Sequence, residues 1–157
     1  SIARRQRQMC IRDREGRVEI GYTPVEPTAA GADLFDGPMK MFQWHRDGFD
    51  LPAGAQLLAT NEHFPQQAFR HENAYGVQFH PEVTPDIMRR WSIGAEHMLT
   101  MPGAQPREQQ LAEYPEADPI IDAWVDRFLD TILGCGVEGR ARKPHGGSPP
   151  NSVEIAA

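Results

Sequence analysis

The stretch Ala74-Tyr75-Gly76-Val77-Gln78-Phe79-His80-Pro81-Glu82 is an apolar strand pattern that ends in a histidine and a glutamate two positions apart. Side chains at positions i and i+2 of a strand share a face, so we expect Glu82 to lie beside His80. Pro81 has no backbone N–H and cannot continue a central ladder, so the sheet should end here. This pattern predicts a histidine–carboxylate pair at a sheet rim, as in relays where a carboxylate orients the base that serves a nucleophile.

Four upstream segments extend this interpretation. They are Phe-Gln-Trp-His-Arg-Asp-Gly-Phe-Asp-Leu-Pro-Ala-Gly-Ala at 42–55, Leu-Leu-Ala-Thr at 57–60, Gln-Ala-Phe at 67–69 and Glu-Ile-Gly-Tyr-x-Pro-Val at 19–25. With the closing Gly-Val-Gln-Phe-His-Pro-Glu, they resemble the class I glutamine amidotransferases, in the branch related to the glutaminase domain of GMP synthetase. The resemblance runs from about residue 16 to residue 133. It implies an α/β fold, a flavodoxin-like three-layer sandwich, of which this chain is expected to hold only the carboxyl-terminal half.

The resemblance also implies a reaction. The family hydrolyses the side-chain amide of glutamine through a Cys-His-Glu triad and passes the ammonia to an acceptor. His80 would be the general base and acid, and Glu82 would orient it. Glutamine would be the substrate, a synthetase or other ammonia-acceptor domain would be the partner, and no cofactor is implied. Two alternatives stay open: a γ-glutamyl hydrolase of the same superfamily, and a non-catalytic binding or regulatory module with this fold.

The family's cysteine nucleophile stands in a Gly-x-Cys-x-Gly elbow, a strained turn between a strand and a helix. That pattern does not occur in this sequence. Cys10 has no flanking glycine, and Cys135 has glycines on both sides but follows a helix pattern rather than a strand. We therefore expect the chain to be a truncated and inactive fragment, with the nucleophile and the oxyanion hole outside this sequence.

His45 and Asp47 form a second candidate pair, in Trp-His-Arg-Asp-Gly at 44–48. The resemblance implies that they lie on a loop close to the active-site cleft. The residues fit a structural role equally well, in which His45 caps a strand and Asp47 stabilises the turn at Gly48. The other histidines, at positions 63, 71, 97 and 145, lack the close pair spacing of a zinc site, so no metal is expected.

The chain divides into three parts. Residues 1–14 form a basic arm without apolar periodicity that does not resemble the family, and either a natural arm or an artefact fits this pattern. Residues 15–134 are expected to be the carboxyl-terminal part of the amidotransferase domain. Residues 135–157 combine glycines and prolines with no core pattern, which predicts a disordered tail.

Alternation and turn residues predict five strands, at 17–26, 39–44, 56–60, 67–71 and 74–79. Prolines at 24 and 27 place the first near an edge, and short turns favour hairpins, so we expect a mixed, partly antiparallel sheet. Thr84-Pro85 predicts the start of one carboxyl-terminal helix, and Asp118-Pro119 predicts the start of a second, which Gly134 ends. Residues 101–116 are predicted to be a long exposed connection.

Composition limits the classes of partner. The net charge is −6, and the basic residues cluster only in the first 14 residues, so we expect no nucleic-acid binding. We expect no membrane insertion, because no apolar run reaches spanning length and no signal-peptide pattern opens the chain. Two cysteines in unrelated contexts provide no disulfide framework, which favours a cytoplasmic protein.

Overall fold

The computed structural model describes residues 11–13 and 16–134 of the chain. These residues form seven strands: β1 Ile11–Asp13, β2 Glu19–Pro27, β3 Met39–His45, β4 Asp47–Phe49, β5 Gln56–Thr60, β6 Ala68–His71 and β7 Ala74–Val77. Two α-helices follow, α1 at Pro85–Gly94 and α2 at Arg107–Leu133. Short 3₁₀ helices lie at Ala29–Gly31 and Glu96–Thr100.

Five of the strands form one sheet in the order β3-β2-β5-β6-β7, and all its neighbouring pairs are antiparallel. The β2–β3 ladder runs from the pair Glu19 and His45 to the pair Val25 and Met39. A separate two-stranded sheet pairs β1 with β4. An isolated parallel bridge joins β2 to the chain before α2. The fold is therefore α/β, with a curled antiparallel sheet and two carboxyl-terminal α-helices.

The predicted strand positions agree with the observed ones to within two residues at each end. The prediction that β2 lies near an edge is wrong, because β2 lies between β3 and β5. Only Glu26 and Pro27 of β2 pair with β5, so Pro24 does not interrupt that ladder. Strands β1 and β4 were not predicted, since three residues are too few for an alternating pattern.

One hydrophobic core joins the five-stranded sheet to both α-helices. Burial of each large apolar side chain contributes about 1.5–3 kcal/mol, which offsets the conformational entropy lost on folding. The buried members come from the strands and the helices alike, and they include Val25, Met41, Phe42, Leu58, Met88, Ile121 and Trp124.

Helix α2 is longer than the sequence predicts. It begins at Arg107 rather than after Asp118, so the prediction of an exposed connection over 101–116 is wrong beyond residue 106. Pro115 and Pro119 lie inside the helix with exposed side chains, although proline in a helix interior removes a hydrogen bond and costs about 3 kcal/mol. Core packing of the first half of α2 outweighs that cost. The residues responsible are Leu111, Tyr114 and Ala117, spaced three apart on one face.

Several predictions fall outside the described residues. They concern the tail at 135–157, both cysteines, and all of the basic arm except β1. Within residues 16–134, the helices are too short or too polar to cross a membrane.

Candidate active site

His80 and Glu82 lie in the connection between β7 and α1. The His80 Nδ1 and a Glu82 carboxylate oxygen are 2.8 Å apart. The prediction that both stand in a strand is wrong, because β7 ends at Val77 and the contact forms in the turn that follows. The backbone N–H of His80 donates to the carbonyl of Phe42 in β3, at 2.8 Å. This turn is therefore fixed to the edge strand β3 at the histidine itself.

Buried residues hold the turn on both sides. Phe79, directly before His80, is 2% exposed and packs edge-to-face against Trp124 of α2, with ring centres 5.2 Å apart. Val83, directly after Glu82, is also buried. The Thr84 side chain then accepts a hydrogen bond from the N–H of Ile87 and caps α1. The short loop that carries the histidine and the glutamate is thus anchored at each end.

One aromatic side chain packs against the His80 ring. Its centre lies 5.0 Å from that of Trp91 on α1, with the ring planes at 72°. The side chain of His80 is 32% exposed and that of Glu82 is 60% exposed. Since Nδ1 is taken by the carboxylate, Nε2 is the nitrogen able to exchange a proton with a reacting group. This arrangement can act as an oriented general base and acid.

The structure does not join His45 and Asp47 to that pair. The Nε2 atom of His45 lies 3.1 Å from a carboxylate oxygen of Glu19, on the face of β3 opposite Trp44. The Asp47 carboxylate lies 3.8 Å from Arg46. The backbone carbonyl of Asp47 accepts a hydrogen bond at 2.9 Å from the side-chain amide of Gln78, two residues before His80.

His45 belongs instead to a buried polar cluster, which was not predicted from the sequence. Gln67 Nε2 donates to Glu19 Oε2 at 3.0 Å, and Gln67 Oε1 accepts from Gln43 Nε2 at 2.7 Å. Asn61 donates to the same carboxylate, and His45 Nε2 also lies 3.1 Å from Gln43 Oε1. Gln43 and Gln67 are fully buried. Glutamines inside apolar strand patterns are the signal that could have revealed this cluster.

A cavity of about 280 Å³ opens beside this cluster, with Glu19, Asn61 and Glu62 in its lining. Neither His80 nor Glu82 lines it. Among residues 11–13 and 16–134, no group of three or more histidine, cysteine, aspartate or glutamate residues is placed to hold a metal ion. The cavity therefore belongs to the polar cluster, and the histidine–glutamate pair lies apart from it.

Two tyrosines near α2 have perturbed ionisation. Burial raises the pKa of Tyr22, and the neighbouring Tyr114 and Asp118 raise it further. Burial, together with a hydrogen bond to Asp118, raises the pKa of Tyr114 to about 12. Both phenols remain protonated at neutral pH, so neither is a candidate base.

Comparison with known proteins supplies the family. The model of the family described as "Glutamine amidotransferase class-I" matches residues 4–91. The match includes most of the segment 1–14, whose sequence pattern was predicted to lie outside the family. Within the chain it spans β1 to β7, the His80 turn and most of α1.

Individual relatives agree with that match. The chain is similar to a glutamine-hydrolyzing GMP synthase subunit of Thermococcus kodakarensis, with 49% identity over 57 residues, 32% of this chain and 30% of that protein. It is 29% identical over 136 residues to a GMP synthase of Bifidobacterium longum, covering 81% of this chain and 24% of that protein. The chain thus spans less than a third of the length of these two relatives.

A solved structure agrees as well. The crystal structure of a glutamine amidotransferase from Thermotoga maritima has a TM-score of 0.68 and 25% identity, over 80% of this chain and 55% of that chain. The similarity of fold thus extends over a larger share of this chain than the family match does. The family match covers more than half of the residues of this chain. The chain is therefore a member of the class I glutamine amidotransferase family.

Proposed function

We propose that this chain is the carboxyl-terminal part of a glutamine amidotransferase domain and contributes the base and its orienting carboxylate to a Cys-His-Glu triad. The observation that carries the proposal is the 2.8 Å contact between His80 Nδ1 and the Glu82 carboxylate, in a turn anchored at both ends. The membership of the family supports the same assignment.

In the proposed reaction, His80 Nε2 accepts the proton of a cysteine thiol, and the thiolate attacks the side-chain carbonyl carbon of glutamine. The imidazolium then gives its proton to the departing ammonia, which leaves a γ-glutamyl thioester. Water hydrolyses the thioester with His80 again as the base, so the cysteine is regenerated and glutamate is released. Glu82 holds the imidazole in the Nδ1–H tautomer and stabilises its charged form.

We propose that the cysteine comes from residues outside this sequence, since no Gly-x-Cys-x-Gly pattern occurs in the 157 residues. We therefore expect the chain alone to be inactive. Relatives named as single subunits of a glutamine-hydrolyzing GMP synthase support a second, synthetase subunit or domain as the acceptor of the ammonia. We propose a soluble, cytoplasmic setting for this assembly.

The test is ammonia release from glutamine by a protein that carries these residues together with a Gly-x-Cys-x-Gly segment. His80→Ala should lower turnover by about 10²–10⁴, the usual range for a general base. Glu82→Ala should lower it by roughly tenfold, because its half-exposed carboxylate acts only through the imidazole. His97→Ala, an exposed histidine on the 3₁₀ helix after α1, is the matched control and should leave turnover unchanged.

Two results would count against the proposal. One is near-native turnover by folded His80→Ala protein, which would make the histidine structural and favour a non-catalytic module. The other is ammonia release by the 157-residue chain alone that Cys10→Ala or Cys135→Ala abolishes, since the nucleophile would then lie within this sequence.

A further inference from the structure

The indole of Trp91 lies directly against the His80 imidazole, with ring centres 5.0 Å apart and planes at 72°. Trp91 comes from the second half of α1, whereas His80 precedes that helix. The chain therefore folds back so that a helix residue packs on the ring of the proposed base. Near-perpendicular aromatic packing favours one relative orientation of the two rings.

Trp91 is itself held in place by a row of rings. Its ring centre lies 5.5 Å from that of Trp44 in β3, and Trp44 stacks on Phe42 at 6.3 Å with planes only 16° apart. The carbonyl of Phe42 accepts the backbone N–H of His80. The row thus leads from the imidazole of His80, through three rings, to the backbone of the same residue. Trp91 therefore cannot move away without disturbing the edge strand β3.

The contact with Glu82 needs such support. The Glu82 side chain is 60% exposed, and an exposed ion pair or hydrogen bond competes with water and contributes little by itself. Rotation of the His80 ring by half a turn about χ2 would replace Nδ1 by a ring carbon and break the contact. A large rigid neighbour on the imidazole opposes that rotation.

We propose that Trp91 is a positioning residue for His80, whose indole keeps the imidazole in the orientation in which Nδ1–H donates to Glu82. This inference rests on the proposed function for the role of Nε2 as the base. Within the described residues, Nε2 has no hydrogen-bond partner, so this orientation leaves it available for proton transfer.

The test measures the tautomer of His80 by the ¹⁵N chemical shifts of its two ring nitrogens in the labelled 157-residue chain, at about pH 9, where histidine imidazoles are neutral. The unaltered chain should show mainly the Nδ1–H form. Trp91→Leu should lower the ratio of the Nδ1–H to the Nε2–H form by about three- to tenfold, the equivalent of one net hydrogen bond. Trp91→Phe retains an aromatic ring and should keep the ratio within about twofold.

Repeating the Trp91→Leu substitution in Glu82→Ala protein distinguishes an effect on the contact between His80 and Glu82 from a general effect on the packing around His80. In Glu82→Ala protein the acceptor is absent, so adding Trp91→Leu should give no further change in the ratio. Exposed His63 in the same spectrum is the internal reference, and circular dichroism checks that each variant is folded.

Three results would overturn the inference. They are an unchanged ratio in folded Trp91→Leu protein, an equal fall in Trp91→Phe protein, and an equal further fall in the Glu82→Ala background. If Trp91→Leu does not fold, Trp91→Met, which fills more of the indole volume but has no ring, replaces it with the same expected fall, and a folded Trp91→Met protein with an unchanged ratio overturns the inference. The measurement needs no glutamine hydrolysis, so its failure is distinguishable from failure of the proposed function.

Discussion

Gln67 shows at the scale of one residue how a buried carboxylate is accommodated. Its amide donates to Glu19 and to the carbonyl of Phe64, both at 3.0 Å, while its oxygen accepts from Gln43. Glu19 is 4% exposed, so each hydrogen bond to it replaces one that water would otherwise supply. Gln67 therefore joins three polar groups of this cluster: the Glu19 carboxylate, the Gln43 amide and the Phe64 carbonyl.

We expect Gln67→Leu to lower the free energy of unfolding by about 2–4 kcal/mol, because it removes one hydrogen bond from the buried Glu19 carboxylate and leaves the buried Gln43 amide N–H without its acceptor. Urea denaturation followed by circular dichroism measures the change. The matched control is Gln66→Leu, at the partly exposed neighbouring position, which should change stability by less than about 1 kcal/mol. Equal effects of the two substitutions would show that the cluster contributes nothing specific.

At the scale of elements, an ion pair links the first half of α2 to β3. Lys40 donates to Glu113 at 2.8 Å, and Gln109 and Gln105 donate to the other carboxylate oxygen. Partial burial acts to raise the pKa of Glu113, but the hydrogen bonds and the charge of Lys40 outweigh it, so the pKa lies below its ordinary value near 4.5. The carboxylate therefore stabilises the folded state when it is ionised.

The sign of the pH dependence follows from that lowered pKa. The contribution of Glu113 is present above the pKa of an unfolded glutamate and is lost as pH falls through the lower, folded value. We expect Glu113→Gln to cost about 0.5 kcal/mol at pH 7, a small effect because Lys40 is well exposed. The difference from the unaltered protein should shrink as pH falls through the lowered, folded pKa of Glu113.

Denaturation at several pH values measures this difference. Glu116→Gln, an exposed glutamate on the same helix with no ion pair in the described residues, is the control and should show no such trend. A difference for Glu113→Gln that grows as pH falls would contradict the assigned direction.

At the scale of the whole molecule, Trp124 connects parts of the chain that are distant in sequence. Its ring lies 5.5 Å from that of Phe35, 5.2 Å from Phe79 and 4.9 Å from Phe128. These contacts join the connection after β2, the segment that carries His80, and α2 itself. The helix is thus part of the core rather than an appendage to the sheet.

Trp124→Ala should therefore lower the free energy of unfolding by about 3–5 kcal/mol, through lost burial and the cavity left behind. Ile132→Ala, on the same helix but 40% exposed, should cost less than about 1 kcal/mol. Both are measured by denaturation of the 157-residue chain. A cost for Trp124→Ala as small as that for Ile132→Ala would mean that α2 is not integral to the fold.

Much of the fold could be predicted because its signals are local. The strand at 56–60 has the predicted bounds, and the Thr84-Pro85 start of α1 is observed with its capping hydrogen bond. The proximity of His80 and Glu82 also follows from two positions of separation, although a turn rather than a strand brings them together. Each of these features depends on neighbours within a few residues.

The strand positions, the helix cap and the candidate base with its carboxylate can all be identified from the amino-acid sequence. Three other features can be seen only in the folded chain: α2 continues through Pro115, His45 lies in the polar cluster, and Trp91 packs on His80. The physical reason is that burial between distant segments sets these features. An exposed proline is tolerated within a helix when another face of that helix is packed in the core. A glutamate or glutamine is buried only where partners from other segments satisfy its hydrogen bonds.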